Sequence, residues 1–149
     1  MWSKSQRLPC LLAVFLIAGS CSSLLHARAL SIEERVRAQA AIERVYYSHQ
    51  IGTSAPFEQA VPRSLLEHKV KTYLQQSAAL ERFWHRPVTS EMLQRELERT
   101  AARTRMPDRL RELFAALGND PFLIQECLAR PALTARLLEN YVAFDDRIQ

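Results

Sequence analysis

The sequence predicts an all-α protein, folded as a single orthogonal bundle of about five to six helices with tight corners at proline and glycine. Beyond the first 29 residues the only glycines are Gly52 and Gly118. No stretch sustains the apolar–polar alternation of a β-strand. The prolines fall between segments whose apolar residues recur every three or four positions, where proline opens or separates helices.

The first helix is predicted from Ser31 to His49. Ser31 and Glu34 have the spacing of a capping box, in which hydroxyl and carboxylate satisfy free amide groups reciprocally. Three- and four-residue steps place six residues on one face: Ala38, Ala41, Ile42, Val45, Tyr46 and His49. Ile32 and Val36 fall outside this face, so the first turns are expected to pack differently or to remain partly exposed.

The second helix is predicted to begin at another capping box, Ser64 with Glu67, and to continue to about Trp84. Its expected apolar face comprises Leu66, Val70, Tyr73, Leu74, Ser77, Leu80 and Trp84. A third helix is predicted over about 90–104, with Thr89 as its N-cap.

Three further helices are predicted between residue 107 and the carboxyl end, joined by two tight corners. The fourth begins at Pro107 and ends at Gly118, because glycine tolerates the left-handed conformation that follows a helix. Asp120 caps the fifth and Pro121 fits its first turn. Pro131 is predicted to open the sixth, which makes the second corner.

The first stretch has the pattern of a secretory signal peptide. A positively charged start precedes an apolar run over residues 11–18, which is too short to span a bilayer, and Ala27 and Ala29 form a small-x-small cleavage pattern. Residues 1–29 are therefore predicted to be removed, which leaves a domain over 30–149 that is exported to the periplasm or the extracellular space. Alternatively, Ala18 to Cys21 resembles a bacterial lipobox, which would make Cys21 a lipidated anchor.

Removing the leader changes the charge of the chain. The whole sequence has 20 basic and 16 acidic residues, a net charge of +4. Three basic residues (Lys4, Arg7 and Arg28) and no acidic residue lie in 1–29, so 17 basic face 16 acidic residues and the net charge falls to +1. That balance argues against nucleic acid as a partner, because nucleic-acid binding needs a clustered positive surface. The membrane is expected to be met only through the signal peptide or a lipid anchor.

The sequence offers little catalytic or cofactor chemistry. The histidines lack the spacing of a metal site, and two glycines cannot build a phosphate-binding loop. No cofactor is expected. Cys127 is the one candidate nucleophile, but its neighbours Leu123, Ile124 and Leu128 favour a small buried packing residue instead.

Two surface features remain as candidates for binding. Arg95, Arg99 and Arg103 form a basic stripe that, with Arg105, Arg109 and Arg111, would suit an acidic partner. Interleaved glutamates and aspartates favour instead a solvated, internally neutralised face. The second feature is a surplus of aromatic residues, which on an exported domain suggests protein or peptide binding. The candidate peptide-binding residues are Phe83, Trp84, Phe114, Phe122, Leu137 and Tyr141.

Four sequence stretches follow one another from about Val61 to Tyr141. A proline precedes the long helix LLEHKVKTYLQQSAALERFW, which is followed by RPVTSEMLQRELERTAART, by MPDRLRELFAAL and by DPFLIQECLARPALTARLLENYV. This order, with the junction Val88-Thr89-Ser90-Glu91, resembles the N-terminal helical domain of the periplasmic chaperone SurA and related parvulin-type foldases. The resemblance implies a SurA N-terminal or trigger-factor-like peptide-binding fold. In the family the last helix is continuous, whereas here a break is expected at Pro131.

The resemblance implies a chaperone-like, non-catalytic module for protein folding that binds unfolded or extended polypeptides. Prolyl isomerase activity in the family resides in separate parvulin domains, and this chain is too short to hold one, so no enzyme activity is expected. The alternative is a structural or adaptor module that docks a specific envelope protein, possibly as a lipoprotein.

Overall fold

A computed structural model describes residues 28–52 and 54–145 of the chain. Over these residues every regular element is a helix, and no strand occurs, so the all-α prediction is confirmed. The α-helices are α1 (Ile32–Ser48), α2 (Phe57–Ala60), α3 (Arg63–Trp84), α4 (Ser90–Arg103), α5 (Pro107–Ala116), α6 (Pro121–Ile124) and α7 (Arg130–Ala143). The predicted leader up to residue 27, with the lipidation candidate Cys21, lies outside the described residues.

Two of the predicted N-caps on the first four helices are confirmed. At α1 the Ser31 hydroxyl accepts the Glu34 N–H at 3.2 Å, and the Glu34 carboxylate accepts the Ser31 N–H at 2.8 Å. At α4 the Thr89 hydroxyl accepts the Met92 N–H at 3.4 Å. The predicted capping box at Ser64 is wrong. The N-cap of α3 is Pro62, two residues earlier, and Glu67 accepts a hydrogen bond from the Arg63 side chain at 2.9 Å.

The first predicted corner, at residues 118–121, is confirmed. Gly118 has a φ of 67° and Asn119 a φ of 52°, so two successive left-handed residues end α5 and turn the chain. The Asp120 carboxylate then accepts the N–H groups of Phe122 and Leu123, at 2.8 and 3.3 Å, and caps α6. A side chain at position 118 would meet no neighbour, so the requirement for glycine is one of backbone conformation.

The second predicted corner, at Pro131, is wrong. Helix α6 continues through a π-helical turn, Gln125–Ala129, directly into α7, and the junction residues all keep right-handed helical angles. Within this π turn the Arg130 N–H donates to the Gln125 carbonyl, five residues back. An α-helix interior would bring the proline ring against the carbonyl four residues earlier, and a π turn widens the helix at that point. The chain therefore forms one continuous rod over 121–143.

Helix α1 lies at the centre of the fold and buries two faces. Val36 packs with Leu66, Val70 and Tyr73 of α3, whereas Ile42 packs with residues of α5 and of the rod. The single apolar face predicted for α1 was therefore incomplete, and Val36, expected outside it, is only 2% exposed. A third cluster joins α4 to the rod through Leu93, Ala129 and Leu133.

Among the described helices, none is both long enough and apolar enough to cross a bilayer.

Candidate functional site

A cleft of about 680 Å³ lies between α1, the carboxyl end of α4, α5 and the rod. Its apolar part is formed by side chains from all four elements: Ile42, Leu97, Leu110, Leu113, Leu128 and Pro131. Ile42 and Leu113 are buried, whereas Leu97, Leu110 and Leu128 are half-buried. The volume falls within the range of about 300–1,000 Å³ that is usual for ligand pockets. The helices thus leave an apolar concavity on one side of the core.

The only charged residues that line the cleft are arginines. Arg103, Arg105 and Arg109 line it together with neutral polar residues, and no aspartate or glutamate does. Neither Arg103 nor Arg105 takes part in an ion pair within residues 28–52 and 54–145. An occupant that carries negative charge would therefore meet no repulsion from the lining.

Arg109 forms an ion pair within its own helix but no hydrogen bond through its Nε. Its Nε lies 3.5 Å from a carboxylate oxygen of Glu112, one turn along α5. That separation and its geometry do not make a hydrogen bond, and the buried Nε–H has no other partner in the described part of the chain. A buried donor without an acceptor costs free energy, so the fold holds this guanidinium by an ion pair with Glu112 and leaves its Nε–H unsatisfied.

The turn between α4 and α5 positions the edge of the cleft. Helix α4 ends where Thr104 takes up extended backbone angles, and the Thr104 hydroxyl accepts the Met106 N–H at 3.1 Å. Pro107 then starts α5, which has no side-chain cap. This short turn carries Arg105 and Met106 at the mouth of the cleft, where Met106 is 57% exposed.

The rod that forms one wall of the cleft is fixed by a buried ion network. Glu126 of the π turn accepts hydrogen bonds from Arg35 Nη2 at 2.8 Å and from Arg130 Nη2 at 2.6 Å. Burial alone would raise the pKa of Glu126, but these two guanidinium groups outweigh it and hold that pKa below its usual value. The network fastens the π turn to α1.

The same network satisfies a backbone group that the π turn leaves without a helical donor. Arg130 donates its N–H to Gln125 rather than to Glu126, and Pro131 has no N–H to offer. Arg35 Nη1 lies 3.4 Å from the Glu126 carbonyl oxygen and 3.4 Å from the Tyr73 hydroxyl. Arg35 thus compensates for the backbone irregularity that Pro131 introduces.

A second buried carboxylate fixes α4 against α7. The side chain of Glu96 is 1% exposed and pairs with Arg99 of its own helix and with Arg136 of α7, at 2.7 Å for the latter. Hydrogen bonding from Arg99, followed by that from Arg136, lowers the pKa of Glu96. The predicted neutralisation of the basic stripe is therefore confirmed at Arg99 and does not extend to Arg103.

Cys127 lies in the π turn at the inner side of the cleft, and the prediction that it is a packing residue is confirmed. It is 2% exposed and belongs to the same apolar cluster as Ile42 and Leu113. Burial raises the pKa of its thiol to about 11, so the thiol stays protonated at neutral pH.

The six side chains predicted to bind peptide do not share one surface. Trp84 stacks on Tyr141 with ring centroids 5.7 Å apart, and Phe83 meets Trp84 edge-on, so these three lie together where α3 and α7 end. Phe114 and Phe122 pack at the edge of the core cluster around Ile42, and Leu137 packs against the cluster around Leu93. None of the six lines the cleft.

Two of these aromatic side chains have specific partners. The Trp84 indole N–H donates to Asp145 at 2.8 Å. The Arg28 guanidinium lies 5.3 Å from the centre of the Phe122 ring and pairs with Asp120 at 3.0 Å. The cleavage predicted after Ala29 would remove the Arg28 contacts and leave Leu30, which is buried, as the first residue.

In the sequence the arginines of the cleft belong to a longer basic stripe, and the stripe does not predict the cleft. Arg95 and Arg103 belong to the same predicted face of α4, yet only Arg103 lines the cleft. The usable signal was the short Thr104–Met106 turn, which carries an arginine and an exposed methionine beside the end of a basic helix.

Within the part of the chain that the structure describes, no three or more His, Cys, Asp or Glu side chains gather as metal ligands would. Comparison of the chain with protein-family models, with curated proteins and with solved structures finds no match.

Proposed function

We propose that this chain is an exported, non-catalytic module that binds extended or unfolded polypeptide in the cleft between α1, α4, α5 and the rod. The observation that carries the proposal is the cleft itself, an apolar concavity of about 680 Å³ in which the only charged lining residues are arginines. Apolar side chains of an extended segment would fill the part around Leu97, Leu110 and Leu128. Export is supported by the charged start, apolar run and small-residue pattern of residues 1–29.

The resemblance to the SurA N-terminal domain supports the same class of function. Its order of a long helix, a Val-Thr junction and two shorter helices agrees with α3, α4 and α5. The continuous rod over 121–143 also removes the break that the sequence predicted within the last helix. We propose a chaperone-like role on these grounds, with the binding surface moved from the predicted aromatic residues to the cleft.

The proposal is tested by obstructing the cleft without disturbing the core. Ala132 is exposed and lines the cleft, so Ala132→Trp places a large side chain in it. Ala102 is exposed on the opposite side of α4, outside the cleft, and Ala102→Trp is the matched control. Calorimetry with a ten-residue peptide rich in leucine and phenylalanine measures binding, and light scattering measures suppression of aggregation of an unfolded outer-membrane-type client.

We expect Ala132→Trp to weaken peptide binding at least about tenfold and to abolish suppression of aggregation, with Ala102→Trp unchanged in both. Circular dichroism of each variant checks that the fold is kept. Absence of peptide binding by the unmodified protein at tens of micromolar, or equal binding by both variants, would contradict the proposal. In the first case the adaptor alternative, docking to one envelope protein, becomes the better hypothesis.

A further inference from the structure

We infer that the cleft selects polypeptide segments in which a carboxylate group accompanies apolar side chains, and that Arg103, Arg105 and Arg109 receive that carboxylate. This inference rests on the proposed function, because it specifies the chemistry of the polypeptide that the cleft takes. It assigns these three arginines to ligand binding, whereas the remaining arginines of α4 and α5 serve the fold or the solvated surface.

The distribution of ion pairs along α4 and α5 separates these arginines from their neighbours. Arg99, one turn before Arg103, is paired with the buried Glu96, and Arg111 is paired with Asp108 on the exposed side of α5. Arg103 and Arg105 have no carboxylate partner in the described ranges. Within the stripe Arg99 alone is paired among the described residues, and of the two unpaired arginines only Arg103 lines the cleft.

Arg109 adds a hydrogen-bond donor that the fold leaves unsatisfied. Its buried Nε–H has no acceptor, and the Glu112 carboxylate 3.5 Å away does not provide one. A carboxylate on a ligand in the cleft would give the Arg109 guanidinium a second acidic partner and would face Arg103 and Arg105 in the same lining. Hydrogen bonds between arginine and carboxylate are among the stronger ones that proteins form.

The apolar part of the cleft makes a polypeptide the favoured source of that carboxylate. Leu97, Leu110 and Leu128 offer contacts to apolar side chains at the same concavity that the arginines line. A nucleic acid would need cations spread along its phosphate backbone, with little apolar surface between them. A peptide with leucine or phenylalanine next to aspartate, glutamate or its own terminal carboxylate fits both parts of the lining.

Three peptides test the inference. They share one apolar core of eight residues and end in two glutamates, two glutamines or two lysines, with the terminal carboxyl group amidated in all three. We expect the glutamate peptide to bind at least about fivefold more tightly than the glutamine peptide, with the lysine peptide weakest. The preference should shrink in 0.5 M salt, where charges are screened within about 4 Å.

Two double variants distinguish an effect of the cleft arginines from an effect of the net charge of the protein. Arg103→Gln with Arg105→Gln should bring the affinity for the glutamate peptide close to that for the glutamine peptide, so that the ratio of the two affinities falls below about twofold. Arg86→Gln with Arg95→Gln removes the same charge from two exposed arginines outside the cleft and should preserve the preference. Circular dichroism again confirms the fold of each variant.

The outcomes distinguish this inference from the proposed function. Equal affinity for the three peptides, or a preference that survives loss of Arg103 and Arg105, overturns the inference and leaves the proposed function standing. Failure of all three peptides to bind overturns both. Tighter binding of a ten-nucleotide single-stranded DNA than of the glutamate peptide would also overturn the inference, because the cleft would then recognise phosphate.

Discussion

The buried Arg35 and the half-buried Arg130 both donate to the Glu126 carboxylate, whereas Arg103 and Arg105 lie at the open cleft without a carboxylate partner among the described residues. The same type of side chain thus has two roles on one small fold. Where an arginine is buried and paired, it completes the packing of the rod against α1. Where arginines gather unpaired beside apolar surface, their charge is available to a ligand.

An unpaired arginine alone does not indicate a binding site. Arg86 and Arg95 also lack ion pairs in the described part of the chain, but they are exposed and lie outside the cleft. Hydrated cations of this kind are usual on protein surfaces. The informative combination is several arginines, no carboxylate in the lining and an apolar concavity at one place.

The largest effect is expected from breaking the buried network. Glu126→Ala leaves the buried Arg35 and the half-buried Arg130 without their counter-charge, and we expect it to lower the free energy of unfolding by about 3–5 kcal/mol. Denaturant unfolding followed by circular dichroism measures the change. Glu139→Ala, an exposed glutamate on α7, is the control and should change stability by less than about 0.5 kcal/mol. A loss below about 1 kcal/mol for Glu126→Ala would show that the network does not hold the rod.

Acid should weaken the fold through the same carboxylates. The pKa values of Glu96 and Glu126 are lowered in the folded state, so the unfolded chain binds more protons than the folded one between the two pKa values. Their contribution is complete above the unfolded glutamate pKa of about 4.3 and is lost as pH falls through the lower folded values. We expect unfolding free energy to decline below about pH 5, and less steeply in Glu126→Gln. Equal slopes for the variant and the unmodified protein would contradict this origin of acid sensitivity.

The arginines at the cleft should contribute little to stability. Arg103→Gln combined with Arg105→Gln should change the unfolding free energy by less than about 0.5 kcal/mol, because both side chains are exposed and unpaired. Arg35→Gln, which removes a buried partner of Glu126, should be far more destabilising in the same assay. Comparable losses in the two proteins would remove the distinction between structural and ligand-binding arginines.

The smallest effect is expected at the start of the domain. A chain beginning at Leu30 lacks the Arg28 contacts with Asp120 and Phe122, whereas one beginning at Cys21 keeps them. The Arg28 side chain is 55% exposed, and ion pairs of exposed side chains contribute little, so the two forms should melt within a few degrees of each other. A large difference in melting temperature would indicate that Arg28 is part of the folded core.

The helices were predictable because their signals are local. Ser31, Thr89, Asp120 and Gly118 act on the backbone within three or four residues, and each behaves as its sequence context predicts. Pro131 was misread because its effect depends on a π turn and on Arg35, which lies about ninety residues earlier in the chain. Such long-range compensation leaves no local pattern.

The candidate site was less predictable than the fold. Whether an arginine is neutralised depends on which distant carboxylate the fold brings to it. Arg136 of α7 forms an ion pair with Glu96 of α4, whereas no carboxylate of the described residues forms one with Arg103. The aromatic residues predicted to bind peptide do not form one surface for a related reason. Trp84 and Tyr141 stack on each other and so bury part of their apolar surface within the fold.

Backbone amide chemical shifts, recorded by NMR during titration with the glutamate-ended apolar peptide, test the central claim most directly. We expect the largest shifts at residues 100–113 and 127–132, around the cleft. We expect little change around Phe83, Trp84 and Tyr141, where α3 and α7 end. Shifts concentrated at that aromatic end, with the cleft unperturbed, would contradict the account and restore the surface predicted from the sequence.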